Sequence, residues 1–187
     1  MDHLQIEAWA FDRTIAADLV GMSPVQVGNY LKRYNLFPHR PRGKGHPISF
    51  KFADLLRLSA VKALISHGVT PEQAAAALRQ SRGPYSVLLI DGYGPDQVPV
   101  FNFPGTMFFS QDQNGNLVQQ DGTNTVVAIH IRCWPLFDNL WPRVRAQIEK
   151  EGASDRSPYP GNVTEGIAAF EKYIADLRAL RWGRKQG

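Results

Sequence analysis

The chain has 187 residues, 43% of them apolar and 20% charged, a globular balance that excludes a disordered or fibrous protein. No apolar run approaches the ~20 residues that a membrane helix needs, and a single cysteine, Cys133, allows no internal disulfide. The net charge of +4 is unevenly shared: residues 1–82 hold 11 Lys/Arg against 6 Asp/Glu, and residues 83–187 hold 10 against 11.

In chain order, Met1-Asp2-His3 lacks the basic-then-apolar layout of a signal peptide, so a reducing, cytoplasmic and nucleoid-associated setting is expected. Residues 14–20 read as a short helix closed by Gly21. Ser23, Pro24 and Gln26 then supply a polar cap, a first-turn proline and a capping-box partner. They predict a second helix from Pro24 to Tyr34, with Val27, Tyr30, Leu31 and Tyr34 inward at helical spacing. Two short helices joined by a Gly turn make a helix-turn-helix candidate.

Between Asp18 and Asp54 there is no acidic residue, while Lys32, Arg33, Arg40, Arg42, Lys44 and Lys51 all fall in that stretch. Such a segment suits a polyanion, although a charge run by itself also fits a solvated loop. The Pro- and Gly-rich part from Leu36 to Pro47 forbids a helix. Followed by a strand at Ile48–Phe50, it reads as the basic hairpin of a wing. A third helix is predicted over 52–67, stopped by Gly68, and a fourth from Pro71 to Gln80, opened by Thr70-Pro71-Glu72-Gln73.

After Ser81-Arg82-Gly83-Pro84 the pattern turns to strands and turns. The apolar run Tyr85–Ile90 is followed by Val98–Phe103, Thr106–Gln111, Leu117–Gln119 and Thr125–Cys133, with Asn114-Gly115 and Asp121-Gly122 as hairpin signals. A small antiparallel sheet of four or five strands is expected. Helices over 136–150 and 163–181 close the chain, the last capped by Asn162 with Glu165. Its Ile167, Phe170, Ile174 and Leu177 alternate at spacings of three and four. They form a candidate dimerisation seam, or equally a face for the chain's own sheet.

The first eighty residues resemble the DNA-binding domain of MerR-type transcription regulators. The resemblance rests on Val27-Gly28-Asn29-Tyr30-Leu31-Lys32-Arg33-Tyr34-Asn35-Leu36-Phe37-Pro38, which aligns without a gap to the second helix of the light- and cobalamin-responsive branch. Gly45-His46, Phe50-Lys51, Asp54-Leu55 and Gly68-Val69-Thr70-Pro71-Glu72-Gln73-Ala74 match later family elements. Two positions depart: the family's helix arginine is Gly28, and the arginine after the wing histidine is Pro47. Those contacts are lost or supplied by neighbours such as Lys32 or Arg42.

The elements read along the chain, together with the resemblance, give an expected α+β protein. An N-terminal all-α winged helix-turn-helix over 1–82 is followed by a small antiparallel sheet with C-terminal helices over 83–187, for dimerisation or an effector. The implied function is sequence-specific binding of double-stranded DNA by a homodimeric transcriptional regulator. A small-molecule or protein effector is possible, with no membrane and no cofactor. On the second helix the outward Ser23, Val25, Gln26, Asn29, Lys32 and Arg33 are candidate DNA contacts, with Gln26 divided between capping and groove. Tyr30 is a core residue whose hydroxyl could reach a phosphate. Arg40, Arg42, Lys44 and His46 would be the wing contacts, positioning the protein on phosphate or in the minor groove.

Other chemistry finds little support. His130 and Cys133, three apart on a predicted strand, point to opposite faces and argue against a metal site. Asp91-Gly92-Tyr93-Gly94 lacks the ending of a phosphate loop, and no nucleophile elbow or zinc helix is present, so no enzyme is expected. The aromatics Phe101, Phe103, Phe108, Phe109, Trp134 and Trp141 fit either an apolar pocket or a sheet core. Two other readings remain open: an architectural or excisionase-like phage DNA-binding protein, and a protein-interaction module using the basic wing.

Overall fold

A computed structural model describes residues 6, 9–38, 48–81, 83–88, 92–93, 99–100, 105–120, 128–153, 157–159 and 161–183. Arg40, Arg42, Lys44 and His46, expected to form a wing, lie outside the described residues, as do Phe101 and Phe103.

A short strand β1 (Ala10–Phe11) precedes helix α1 (Arg13–Val20), which turns into α2 (Pro24–Lys32). Asp12 caps α1 by accepting from the Thr14 and Ile15 N–H groups at 2.7 and 2.9 Å. Gly21 ends it in a left-handed conformation, φ +66, which a side chain would resist. Strand β2 (Phe50–Lys51) pairs antiparallel with β1, Phe11 opposite Phe50. The strand expected at 48–50 thus forms at Phe50–Lys51, and its partner is the segment before α1. The long helix α3 (Phe52–Ser66) and α4 (Pro71–Gln80) follow, in the predicted places.

Residues Pro84–Leu88 form a short helix, α5, rather than the strand expected there. Strands β3 (Gly92–Tyr93) and β4 (Pro99–Val100) pair only with each other, among the described residues. The second sheet has three strands, β5 (Thr106–Gln111), β6 (Leu117–Gln120) and β7 (Ile129–Arg132), in the antiparallel order β6-β5-β7. The described strands thus divide into small sheets instead of the single one of four or five strands expected. Helices α6 (Cys133–Gly152) and α7 (Val163–Gly183) end the described chain. Asn162 caps α7 as expected, accepting from the Thr164 and Glu165 N–H groups and donating to the Glu165 carboxylate at 2.9 Å. The class is α+β, as expected, and among the described residues no helix is long and apolar enough to cross a membrane.

One apolar core runs from the helix-turn-helix into the C-terminal helices. Phe52, at the start of α3, is its hub, with ring centroids 5.6–5.8 Å from Tyr85, Phe137, Trp141 and Phe170. The α7 residues Ile167, Phe170, Ile174 and Leu177 are all buried within the chain's own core, where α7 lies against α6. Their apolar stripe is taken up by the chain's own core. Trp134 and Trp141 belong to α6, not to a sheet. Cys133 opens that helix and is buried, while His130 on β7 is exposed. The two are therefore not on one strand.

Candidate nucleic-acid interface

Helix α2 carries the site, and its own sequence sets its ends. The Ser23 Oγ accepts from the Gln26 N–H at 3.2 Å, and the Gln26 Oε1 accepts from the Ser23 N–H at 2.8 Å. This is a reciprocal capping box, with Pro24 in the first turn. At the other end Asn35 adopts φ +49, and the Leu36 N–H returns to the Tyr30 carbonyl at 2.9 Å. Asparagine is among the few non-glycine residues that accept the left-handed region, so it can hold this turn.

Val27 and Tyr30 face inward, and the helix leans on α1. The opposite face presents Ser23, Val25, Gln26, Asn29, Lys32 and Arg33, all exposed. Val25 stands out, since a large apolar side chain is 72% exposed in the first turn. Tyr30 is set into the core, only 5% exposed, with its ring 5.6 Å from that of Tyr34. Burial first, and Tyr34 second, push its hydroxyl above the ordinary phenol range. The Arg33 guanidinium lies over the Tyr34 ring at 5.4 Å.

The capping box narrows what Gln26 can do. Its oxygen is engaged by the helix N-terminus, leaving the amide nitrogen as the free group. Asn29 makes no side-chain hydrogen bond among the described residues, so its whole amide faces outward.

Gly28 shows what the sequence missed. A Cβ at this position would stand 3.6 Å from the Arg13 Nη1. The guanidinium that opens α1 thus lies against α2 where the family has its helix arginine. Linear spacing gives no hint of this, because the two residues are 15 apart in the chain and meet only through the α1–α2 packing.

The helix pair is held from behind. The Lys62 Nζ on α3 donates to the Val20 and Gly21 carbonyls at 3.2 and 2.9 Å. The Arg143 Nη2 on α6 donates to the Asp18 carbonyl at 2.6 Å. Two cations on the last carbonyls of α1 oppose the negative end of its dipole.

The family model described as MerR HTH family regulatory protein matches residues 14–81. Residues 14–81 therefore carry a MerR-type helix-turn-helix. No curated protein and no solved structure matches the chain. The matched span runs from the second residue of α1 through α4 and ends before α5. A MerR-type helix-turn-helix is a DNA-binding unit of transcription regulators, a regulatory rather than catalytic family.

Proposed function

We propose that this chain is a sequence-specific transcriptional regulator that binds double-stranded DNA as a homodimer, with α2 in the major groove. The observation that carries the reading is the exposed face of α2, polar and basic within a stretch that has no carboxylate from Leu19 to Ala53. In this geometry Asn29 is the bidentate base reader, with an amide matched to adenine. Val25 gives apolar contact to a thymine methyl. Lys32, Arg33 and Arg13 meet phosphate, Arg13 replacing the family arginine in space. The wing residues Arg40, Arg42, Lys44 and His46 add positioning contacts.

Two protomers on an inverted repeat double the contact that one small helix-turn-helix can make. The stripe of α7 is buried in its own protomer, so the second protomer meets another surface. Residues 83–187 serve as the partner or effector part of the regulator.

Selection of bound duplexes from a random library, followed by affinity against salt, tests the proposal. An enriched inverted repeat is expected, with a steep salt slope. Salt-sensitive binding without enrichment would mean an architectural DNA protein instead, and no binding at all would overturn the reading.

A further inference from the structure

Gln26 is the third residue of α2, after the Ser23 cap and Pro24, and its side chain is exposed. Chemistry fixes which way its amide points. The atom 2.8 Å from the Ser23 nitrogen faces a backbone N–H, which only donates, so that atom is the oxygen. The return bond, from the Gln26 N–H to the Ser23 Oγ at 3.2 Å, completes the pair. Nε2 has two hydrogens to give and no partner among the described residues.

That orientation sets what the side chain can read. A glutamine with both groups free pairs bidentately with adenine, accepting from N6 and donating to N7. The contact needs oxygen and nitrogen side by side on the base edge, and here the oxygen is turned back to the Ser23 N–H. To offer it to a base, α2 would give up the bond that closes its first turn. Donation alone remains. In the major groove guanine presents two acceptors, N7 and O6, with no donor beside them. Adenine and cytosine each present an amino group that meets Nε2 donor to donor, and thymine offers O4 alone beside its methyl.

Asn29 follows three residues on, on the same exposed face. It lies about 4.5 Å further along the axis, close to the ~3.4 Å spacing of stacked base pairs. The two amides thus reach neighbouring base pairs with different chemistry, Asn29 with both its groups and Gln26 with its donor.

We propose that Gln26 is a specificity-determining residue that reads guanine by donation alone, its Nε2 giving hydrogen bonds to N7 and O6 beside the base pair read by Asn29. The inference rests on the proposed placement of α2 in the major groove, and adds the base that this position selects.

The test repeats the duplex selection with the full chain carrying Gln26→Glu. Glutamate keeps an oxygen for the Ser23 N–H, and its charge suits a helix N-terminus, so Tm should be unchanged or higher. What it lacks is the donor. The wild-type motif should hold a guanine at one position where the variant motif holds cytosine, whose N4 amino group donates to a carboxylate. Reversing that G·C pair to C·G should weaken the wild-type chain about fivefold to a hundredfold, and the preference should invert in Gln26→Glu. Comparing duplexes within each protein removes the general repulsion between the added carboxylate and phosphate.

A wild-type motif that a folded Gln26→Glu leaves intact makes Gln26 a cap only and sinks this inference alone. A changed position that is adenine, thymine or cytosine in the wild-type motif overturns guanine recognition. Loss of the guanine with no base in its place supports it, because the donor is what guanine needs. Should Gln26→Glu fail to fold by circular dichroism, Gln26→Ala takes its place, and the guanine preference should vanish. If the wild-type chain enriches no motif, the proposed function fails and this inference with it.

Discussion

Arg13 of α1 lies against Gly28 of α2, where the proposed interface puts a phosphate contact. A glycine inside a helix costs about 1 kcal/mol relative to alanine. At Gly28 a Cβ would make an ordinary contact, 3.6 Å from Arg13. Gly28→Ala should therefore raise Tm by about 2–4 °C in thermal denaturation, given the usual scaling for a chain of this size. A drop in Tm would mean that the glycine has a packing role that the geometry does not show. Arg13→Ala should weaken binding by a similar factor on all duplexes and lower the salt slope by about one, as for a phosphate contact. Asn29→Ala should instead cost about 1–3 kcal/mol on the selected site alone, read as a collapse of the affinity ratio between selected and random duplexes. If Asn29→Ala weakens both duplexes equally, Asn29 does not read bases.

Among the elements, the β5–β6 hairpin has the most explicit local chemistry. The Asp112 Oδ1 accepts from the Asn114 and Asn116 N–H groups, both at 2.8 Å, and its Oδ2 from the Asn116 side chain at 3.2 Å. The Asn116 N–H, then the Asn116 side chain, with a smaller part from Asn114, hold this carboxyl below the usual carboxylate range. A depressed folded pKa stabilises above the ordinary Asp value of about 3.9. That contribution is lost as pH falls through the lowered folded value. The protection of the Leu117–Gln120 amides, relative to their intrinsic exchange rates at each pH, should therefore fall on acidification below the ordinary Asp range, and Asp112→Ala should remove that pH dependence. A loss of protection that persists in Asp112→Ala would place the acid sensitivity elsewhere. The element that defied expectation is α5. A run as short as Tyr85–Ile90, apolar but for Ser86, has no period that separates strand from helix. Pro84 suits a first helical turn, and Tyr85 closes on Phe52 at 5.8 Å, so packing against α3 settles the choice.

At the scale of the whole molecule, Phe52 joins the helix-turn-helix to the C-terminal helices through Phe137, Trp141 and Phe170. The Arg143 bond to Asp18 ties the same two parts on the surface. A core shared in this way predicts one calorimetric unfolding transition, with both parts melting together. Phe52→Ala should cost about 3–5 kcal/mol and lower that single Tm by roughly ten degrees or more. Two resolved transitions in the wild-type chain would contradict the shared core.

Much of the helical part is legible in the sequence because its signals are local. Ser23-Pro24 with Gln26, Thr70-Pro71 with Gln73, and Asn162 with Glu165 each satisfy helix N–H groups from within three residues. The exposed positions of α2 follow from the period of that one helix. Tertiary structure alone decides the rest, because the partners are far apart in the chain. Arg13 reaches Gly28 only once α1 and α2 pack, and β2 finds β1 some 40 residues upstream. The stripe of α7 has the same spacing whether it meets a second subunit or its own chain. What places it inside is the aromatic cluster around Phe52, since apolar burial follows whichever complementary surface is nearest and carries no address in the linear pattern.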